Sequence, residues 1–505
     1  MGGLAVGYGQ PDRGLVERML ARISYRGPAQ QGLCRRGRAV LAQNYAQAEL
    51  RRLTTPQQVP VGSFANGGPV ICYDGQIGNW ANIASRWGVR DGPFRDERLL
   101  LALYRSLGNG LLRELGDSVF SFVISDGEQL LAARDLLGIK TLFYGRQNGA
   151  LYFATELKAL QAVTDDVHEF PPGFFINGGN MLNRFAELSA PLEHAATGAE
   201  QLVTDVRDII WRSVRQRVDF EVPTAGLLSG GLDSSIVCCL ATRLYREKYG
   251  TAARLKTFAI GVGESQDIQN ARVVAKHIGS EHHELIVKLD DVLRVLPEVI
   301  YHLESFDASL VRSAASNYLV SRCTRDHGIA QLLSGEGGDE VFCGYTYLKD
   351  FPQEELTSRQ LECLGFLHSN ASLRLDRMNQ CHGVRVVTPL ISGELLDYAL
   401  RLPPEYKMKP AADGKIEKWI LRKAYETDLP AEVVWRGKQE FSEGSGSADV
   451  LPRYFETAIS DEEFTKAQAR YPRVRSKEEL HYFRIFAGHF GTGMAVDTVG
   501  QWVCL

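Results

Sequence analysis

The feature that most limits how this chain folds is the join at residues 224–249. An apolar run, TAGLL, leads into Ser229-Gly230-Gly231-Leu232-Asp233-Ser234-Ser235, and that into the helix-like stretch IVCCLATRLYREKY. LKTFAIGV is another strand, NARVVAKHIG another helix, and GIAQLL a strand that runs into Ser334-Gly335-Glu336-Gly337-Gly338-Asp339-Glu340. Strands alternating with helices predict a parallel, doubly wound α/β sheet within residues 200–505. The amphipathic helix TDVRDIIWRSVRQRV precedes it, and the tail from about residue 450 reads as helical and charged.

The first third has a different texture. AVLAQNYA, PVICYDGQIGN, VFSFVISDG, QLLAARD and ALYFATE are strand-length apolar runs bounded by Gly, Asp and Asn. ERLLLALYRSLG reads as a helix, with Leu99, Leu100, Leu103 and Leu107 near helical spacing. This predicts an α+β domain over residues 1–190, and LSAPLEHAATGAEQ, small and polar without a period, reads as the linker to the second domain.

Composition narrows the function classes. Net charge is −4 and no basic stripe appears, which argues against a nucleic-acid partner. No apolar run approaches the roughly 20 residues a membrane-spanning helix needs. The nine cysteines are an odd, scattered set without a CxxC pair, so neither a disulfide framework nor a thiolate zinc site is expected, and a reducing cytoplasm fits. The opening MGGLAVGYGQ lacks the basic and long apolar regions of a secretory signal, and Val6 stands where a myristoylation signal needs Ser or Thr.

The chemistry concentrates in the two glycine loops. Glycines let the backbone approach an anion, and the free N–H groups at a helix start hold a phosphate. Asp233 offers a hard oxygen ligand for Mg2+. No lysine follows as in GxxxxGK[ST], so the loop is not a Walker A motif. At the carboxyl ends of parallel strands the two loops would meet, and Asp233 and Asp339 could share one Mg2+ ion.

SGGLDSS resembles the pyrophosphate-binding loop of the ATP pyrophosphatases (adenine nucleotide α-hydrolase-like), which cleave ATP to AMP and pyrophosphate. More widely, SGGLDSS, TFAIGV, DIQNARVVAKHIGSEHHE, YHLESFDASLVRSA, SGEGGDEVFCGY and DGKIEKWILRKAYETDLPAEVVWRGKQEFSEGSG together resemble the synthetase domain of glutamine-dependent asparagine synthetase. The resemblance implies a ligase that adenylates a carboxylate, aspartate or a similar acid, and passes it to ammonia or another amine. Leu228, Ser229, Gly230, Gly231, Asp233, Ser234, Ser235, Ser334 and Gly335 would bind ATP, with Ala259 and Ile260 lining the adenine pocket. Asp233 and Asp339 would hold Mg2+, while Ser309, Arg312, Gly337, Asp339 and Arg385 would face the acyl substrate. Glu336 would assist amine attack, and Lys438 would face the reaction centre. The physics of the reaction suits these roles: a fixed ammonium and a divalent cation stabilise charge developing on the α-phosphate, and a carboxylate accepts the amine's proton.

The first domain resembles the family's N-terminal glutaminase, an Ntn-hydrolase-like sandwich, with several departures. The family's nucleophile is a Cys at position 2, and here that position is Gly2. Arg26-Gly27-Pro28-Ala29 stands for RGPD, and Asp74-Gly75-Gln76-Ile77-Gly78-Asn79 for NGEIYN; Asp96 is kept, and Arg98 replaces a Glu. An acid in place of the oxyanion-hole Asn would repel the developing charge. These departures imply an inactive glutaminase and ligation without glutamine hydrolysis.

Substrate choice is left divided. Glu336 and YHLESFDASLVRSA favour the asparagine-synthetase type, whereas EGSGS after Phe441-Ser442 resembles the intramolecular, lactam-forming β-lactam synthetases. Arg385 stands where the family has Glu in GVEARVPFLD, a charge reversal that would welcome a carboxylate or phosphate if the side chain enters the pocket. Alternatives are a biosynthetic tailoring amidoligase and, in another class, a nucleotide-binding pseudoenzyme or regulator. By analogy a homodimer is the expected assembly.

Overall fold

In the computed structural model, residues 2–50, 61, 68–178, 181–190, 198–263, 265–412, 414–438, 444 and 450–502 are described. The chain divides into two compact units. One comprises Met1–Leu188, Gln380–Gly383 and Phe490–Val499; the other comprises Ser189–Asn379, Val384–His489 and Gly500–Leu505. The predicted linker lies partly outside the described residues, at 191–197.

The first unit is a sandwich of two antiparallel sheets. Among the described residues one sheet runs in the order 30–36, 39–45, 4–8, 150–154, 143–147 and 168–169, and the other 182–184, 174–177, 130–134, 118–125 and 70–77. Their facing sides share a core in which Leu4, Val6 and Leu41 meet Val70, Val123 and Ala132. The opposite face of the second sheet, with Phe120 and Phe122, is covered by the helices Trp80–Trp87 and Arg95–Leu107. Leu99, Leu100 and Leu103 turn inward there, as their helical spacing requires. This is the layered α+β arrangement that the strand-length apolar runs predict. Two short segments from late in the chain belong to this unit. Gln161 Nε2 donates to the Phe490 carbonyl at 2.9 Å, one of the bonds that tie them to it.

The second unit carries a fully parallel five-stranded sheet, ordered 281–287, 256–262, 224–227, 331–333 and 385–387. In chain order the strands therefore lie 3-2-1-4-5, so the sheet reverses direction between its first and fourth strands. That reversal opens a crevice at the carboxyl ends of 224–227 and 331–333, where α/β sheets bind ligands. The helix Leu232–Tyr249 packs closely beneath: a Cβ on Gly226 would lie 2.5 Å from Cys238 Sγ, so only glycine fits the strand there. Ser265 caps Gln266–Ile278 and Asp307 caps Ala308–Asp326, and both helices end or begin where a side-chain acceptor or a left-handed glycine allows. No described helix is long and apolar enough to cross a membrane.

Candidate active site

The two glycine loops meet at the reversal of the sheet. Gly230 takes φ +73°, and a Cβ there would lie 2.5 Å from Asn270 and Ala271. Gly335 is packed so closely on the first loop that a Cβ would stand 2.4 Å from the Ser234 backbone nitrogen. A Cβ on Gly338 would sit 2.5 Å from the Asp233 carboxylate. The glycines are thus required by the approach of one loop to the other, and this brings Asp233 and Asp339 together.

A cavity of about 200 Å3 opens over the loops. Leu228, Ser229, Gly231, Asp233, Ser234, Ser334 and Gly335 line it, as do Ala259 and Ile260 on the neighbouring strand. Ser229 Oγ accepts from Gly231 N at 3.3 Å and lies 3.1 Å from Ser234 Oγ, so the hydroxyls are held at the cavity edge. Ser235 differs from the expectation. Its hydroxyl donates back to the Gly231 carbonyl at 2.7 Å, and the side chain is absorbed in the helix rather than lining the cavity. Gly230 likewise lies behind the lining, pressed on residues 270–271.

The centre of the cavity is a buried knot of charge. Lys418 Nζ bonds to Asp233 Oδ2 and lies 2.7 Å from Asp339 Oδ1, while Lys438 Nζ donates to Asp339 Oδ2 at 2.8 Å. Burial pushes the Asp339 carboxyl upward, but the two ammonium groups outweigh it and hold the group below the usual carboxylate range. Burial also dominates at Asp233, whose carboxyl is raised despite Lys418. At Lys438 burial opposes the charge, yet Asp339 and Asp233 raise the ammonium above its ordinary value. Lys418, which the sequence reading missed, is held at φ +54°, a conformation costly for a side-chain-bearing residue. A Cβ on Gly344 would stand 1.9 Å from Lys418 Cε, so the glycine of the Gly344-Tyr345 pair clears the path for this lysine.

Asp233 Oδ1 is buried and accepts no hydrogen bond. With Asp339 nearby it forms a two-carboxylate donor set, and no cluster of three or more metal-ligating side chains occurs among the described residues. That suits Mg2+, which binds through one or two carboxylates and completes its shell with phosphate oxygens and water.

On the acyl side, Glu336 and Ser309 line the cavity. Glu336 accepts from Arg374 Nη2 at 2.6 Å, a partner supplied by the helix Ala371–Gln380 that no local motif advertised. Glu340 is buried and accepts from the Tyr345 hydroxyl at 2.7 Å. Burial first, and then the nearby Glu336 and Asp339, push its carboxyl up to about 7. Asp267, at the cavity rim with Arg436 3.4 Å away, is raised by burial to about 6.

Three expected substrate residues are elsewhere. Arg312 forms a paired bond to the buried Glu478, with Nη2 at 2.7 Å and Nε at 3.0 Å, and does not line the cavity. Arg385 is the first residue of its strand, in register with Gln331, and also lies outside the lining. It sits two residues back from the sheet's ligand edge, roughly 7 Å at strand rise. Gly337 adopts φ +94° and packs on Ile391 rather than on the cavity. Phe441 and Ser442, with most of EGSGS, lie outside the described residues.

In the first unit Gly2 is buried, and a Cβ would stand 1.5 Å from the Asn44 carbonyl oxygen. Asp74 is not the lone repelling acid expected. Arg26 donates to it at 2.9 Å and to Glu156 at 2.8 Å, Lys140 lies 3.3 Å from its other oxygen, and Lys158 and Tyr25 bond to Glu156. Asp96 is buried and accepts from the Tyr73 hydroxyl at 3.1 Å and from Ile77 N at 3.0 Å.

Paired glycine loops thus stand at the reversal of strand order in a parallel sheet, with a lysine-bridged aspartate pair between them. The chain belongs to the asparagine synthase family, whose model matches residues 205–362 and 352–483, and a glutamine amidotransferase domain model matches residues 1–171. It is 34% identical over 451 residues to the glutamine-hydrolyzing asparagine synthetase B of Escherichia coli, covering 85% of this chain and 80% of that protein. It is 31% identical over 494 residues to glutamine-hydrolyzing asparagine synthetase 1 of Saccharomyces cerevisiae, covering 87% of this chain and 85% of that one.

These matches correct one expectation. Ligation without glutamine hydrolysis, on an inactive glutaminase, rests on the departures at Gly2, Ala29, Asp74, Gln76 and Arg98. The amidotransferase model spans the whole first unit up to residue 171, and the relatives are glutamine-hydrolyzing enzymes.

Proposed function

We propose that this enzyme is an ATP-dependent carbon–nitrogen ligase of the asparagine-synthetase type. It activates a short acidic carboxylate, aspartate foremost, as its adenylate with release of pyrophosphate, and forms the amide with release of AMP. The observation that carries the reading is the knot of Lys418 and Lys438 on Asp233 and Asp339, set between the two glycine loops. The backbone and hydroxyls of Ser229, Gly231 and Ser234 take the phosphates, and Ala259 and Ile260 border the adenine. Lys418 and Lys438 meet the charge that builds as the α-phosphate is attacked and pyrophosphate leaves. Asp233 and Asp339 would hold Mg2+, which would supply further neutralisation of the pyrophosphate. Glu336, held in place by Arg374, takes the proton from the attacking amine.

The relatives draw nitrogen from glutamine, and glutamine is the first donor to test here. Gly2 supplies no thiol, so any attack on glutamine by this chain proceeds without a side chain at that position. Free thiols at the described cysteines and the lack of a membrane-spanning helix among the described residues support a cytoplasmic setting.

The test incubates the full chain with ATP, Mg2+ and aspartate, with either glutamine or ammonium, and quantifies AMP, pyrophosphate, asparagine and glutamate. Asparagine matched by AMP supports the ligase, and glutamate formed alongside it assigns glutamine as donor. No AMP with either donor, across a panel of short carboxylates, would refute the ligase reading.

A further inference from the structure

Trp502 enters the cavity from far along the chain. Its position is fixed by an ionic cluster that the chemistry above leaves unused. Asp307 caps the helix Ala308–Asp326 through Oδ1, which accepts from Leu310 N at 2.9 Å. Its Oδ2 accepts from Trp502 N at 3.0 Å and from Arg475 Nη2 at 2.7 Å. Arg475 Nη1 donates to the Trp502 carbonyl at 2.6 Å, and Glu479 accepts from Ala308 N at 3.2 Å while pairing with Arg475. Both main-chain polar groups of Trp502 are therefore tied to the start of the helix that carries Ser309, Ser313 and Asn317 into the cavity. The preceding Gly500 runs so close to Ser369 that a Cβ would stand 2.4 Å from Ser369 Cβ, leaving no room for another side chain.

The indole is equally fixed. Its ring centroid lies 5.1 Å from Phe366 and 5.7 Å from Tyr345, and it belongs to a buried cluster with Cys343, Leu348 and Met408. Tyr345 also lines the cavity and bonds to Glu340, four residues beyond Glu336. The aromatic pair is thus on the Glu336 side of the cavity, away from the strand that carries Ala259 and Ile260.

We propose that Trp502 is a specificity-determining residue whose indole closes the acyl end of the cavity and limits the carboxylate substrate to a short chain. The proposal rests on the adenylating-ligase reading. A rigid wall at this point discriminates by length, because an added methylene that meets packed aromatic rings has nowhere to go, and one methylene is worth about 10- to 200-fold in a well-fitted pocket.

The experiment measures carboxylate-dependent AMP formation at saturating ATP for aspartate, glutamate and 2-aminoadipate, in wild type, Trp502→Ala and Trp502→Phe. Trp502→Ala should raise the kcat/KM ratio of the longer acids to aspartate by at least about tenfold, and leave the KM for ATP within about twofold of wild type. Trp502→Phe should keep the wild-type order. If Trp502→Ala does not fold, Trp502→Leu carries the same expectation in reduced size. An active wild type whose length preference is unchanged in the folded Ala or Leu variant overturns the assignment alone. A wild type that forms no AMP with any carboxylate overturns the ligase reading and this assignment with it.

Discussion

Replacing Lys418 by Met removes the ammonium between Asp233 and Asp339 while keeping side-chain length. Both carboxylates are buried, and Lys438 reaches only Asp339 within bonding distance. Two unit charges about 5 Å apart repel by roughly 3 kcal/mol at an effective dielectric constant of 20. Breaking a buried ion pair by deleting one partner costs about 3–5 kcal/mol, which agrees in size. Protonation of Asp233 relieves that cost, and its carboxyl is already raised by burial. In K418M its folded pKa rises further above the unfolded value, so the variant takes up a proton on folding as pH falls. The stability deficit should therefore be largest near pH 8 and shrink toward pH 5. Urea unfolding at the two pH values reads this directly. A second substitution, Asp233→Asn in the K418M background, should restore part of the lost stability, because the two sites couple through one contact. Turnover in K418M should fall about 100- to 1,000-fold, the loss typical of removing one fixed donor from a developing oxyanion. Wild-type stability at both pH values together with turnover within tenfold of wild type would refute the reasoning.

Other expectations follow from the same geometry. Glu340 holds its proton in the fold up to about pH 7, whereas an unfolded Glu loses it near pH 4.3. The native state binds more protons in that window, so this group's contribution to stability falls from about pH 4.3 to about 7 and then levels off; Glu340→Gln should flatten that slope, checked by unfolding midpoints across the range. Arg385→Ala should leave the KM for the carboxylate within about twofold, since Arg385 lies outside the cavity lining and a substitution that removes no substrate contact moves binding energy by about 0.5 kcal/mol or less; a tenfold rise would place its side chain at the substrate. Gly335→Ala should abolish AMP formation, because its methyl would meet the Ser234 backbone at 2.4 Å and force the loops apart. Full activity in G335A would show that the loops need not touch.

The parts of this architecture that were legible in the sequence are those whose cause is local. The apolar runs of VFSFVISDG and PVICYDGQIGN, bounded by turn residues, give strands 118–125 and 70–77 directly, and the strand–glycine–helix order around Gly230 gives the parallel sheet. The meeting of Asp233 with Asp339 follows from topology, since both loops close adjacent strands at the reversal. Lys418 was not legible as a site residue: its role depends on a left-handed backbone position and a gap left by Gly344, 74 residues earlier. Arg374 and Trp502 are likewise ordinary in their own segments and acquire meaning only through long-range packing. Arg312 and Arg385 show the reverse: one stands in a matching stretch and the other at a departure from the family's pattern, yet a buried glutamate claims the first and the second lies outside the cavity lining. At Asp74 the charge was read in isolation, whereas Arg26, in the 3-10 turn Ser24–Arg26, and Lys140, in a loop, neutralise it from distant parts of the chain.

The central claim is that a carboxylate oxygen attacks the α-phosphate of ATP at the Lys418–Lys438 knot. It is tested most directly by supplying aspartate labelled with 18O in its side-chain carboxylate, with ATP, Mg2+ and a nitrogen donor, and locating the label by mass spectrometry. The account predicts one 18O atom in AMP for each amide formed and none in pyrophosphate. Label in orthophosphate with ADP as co-product, or unlabelled AMP, would contradict it.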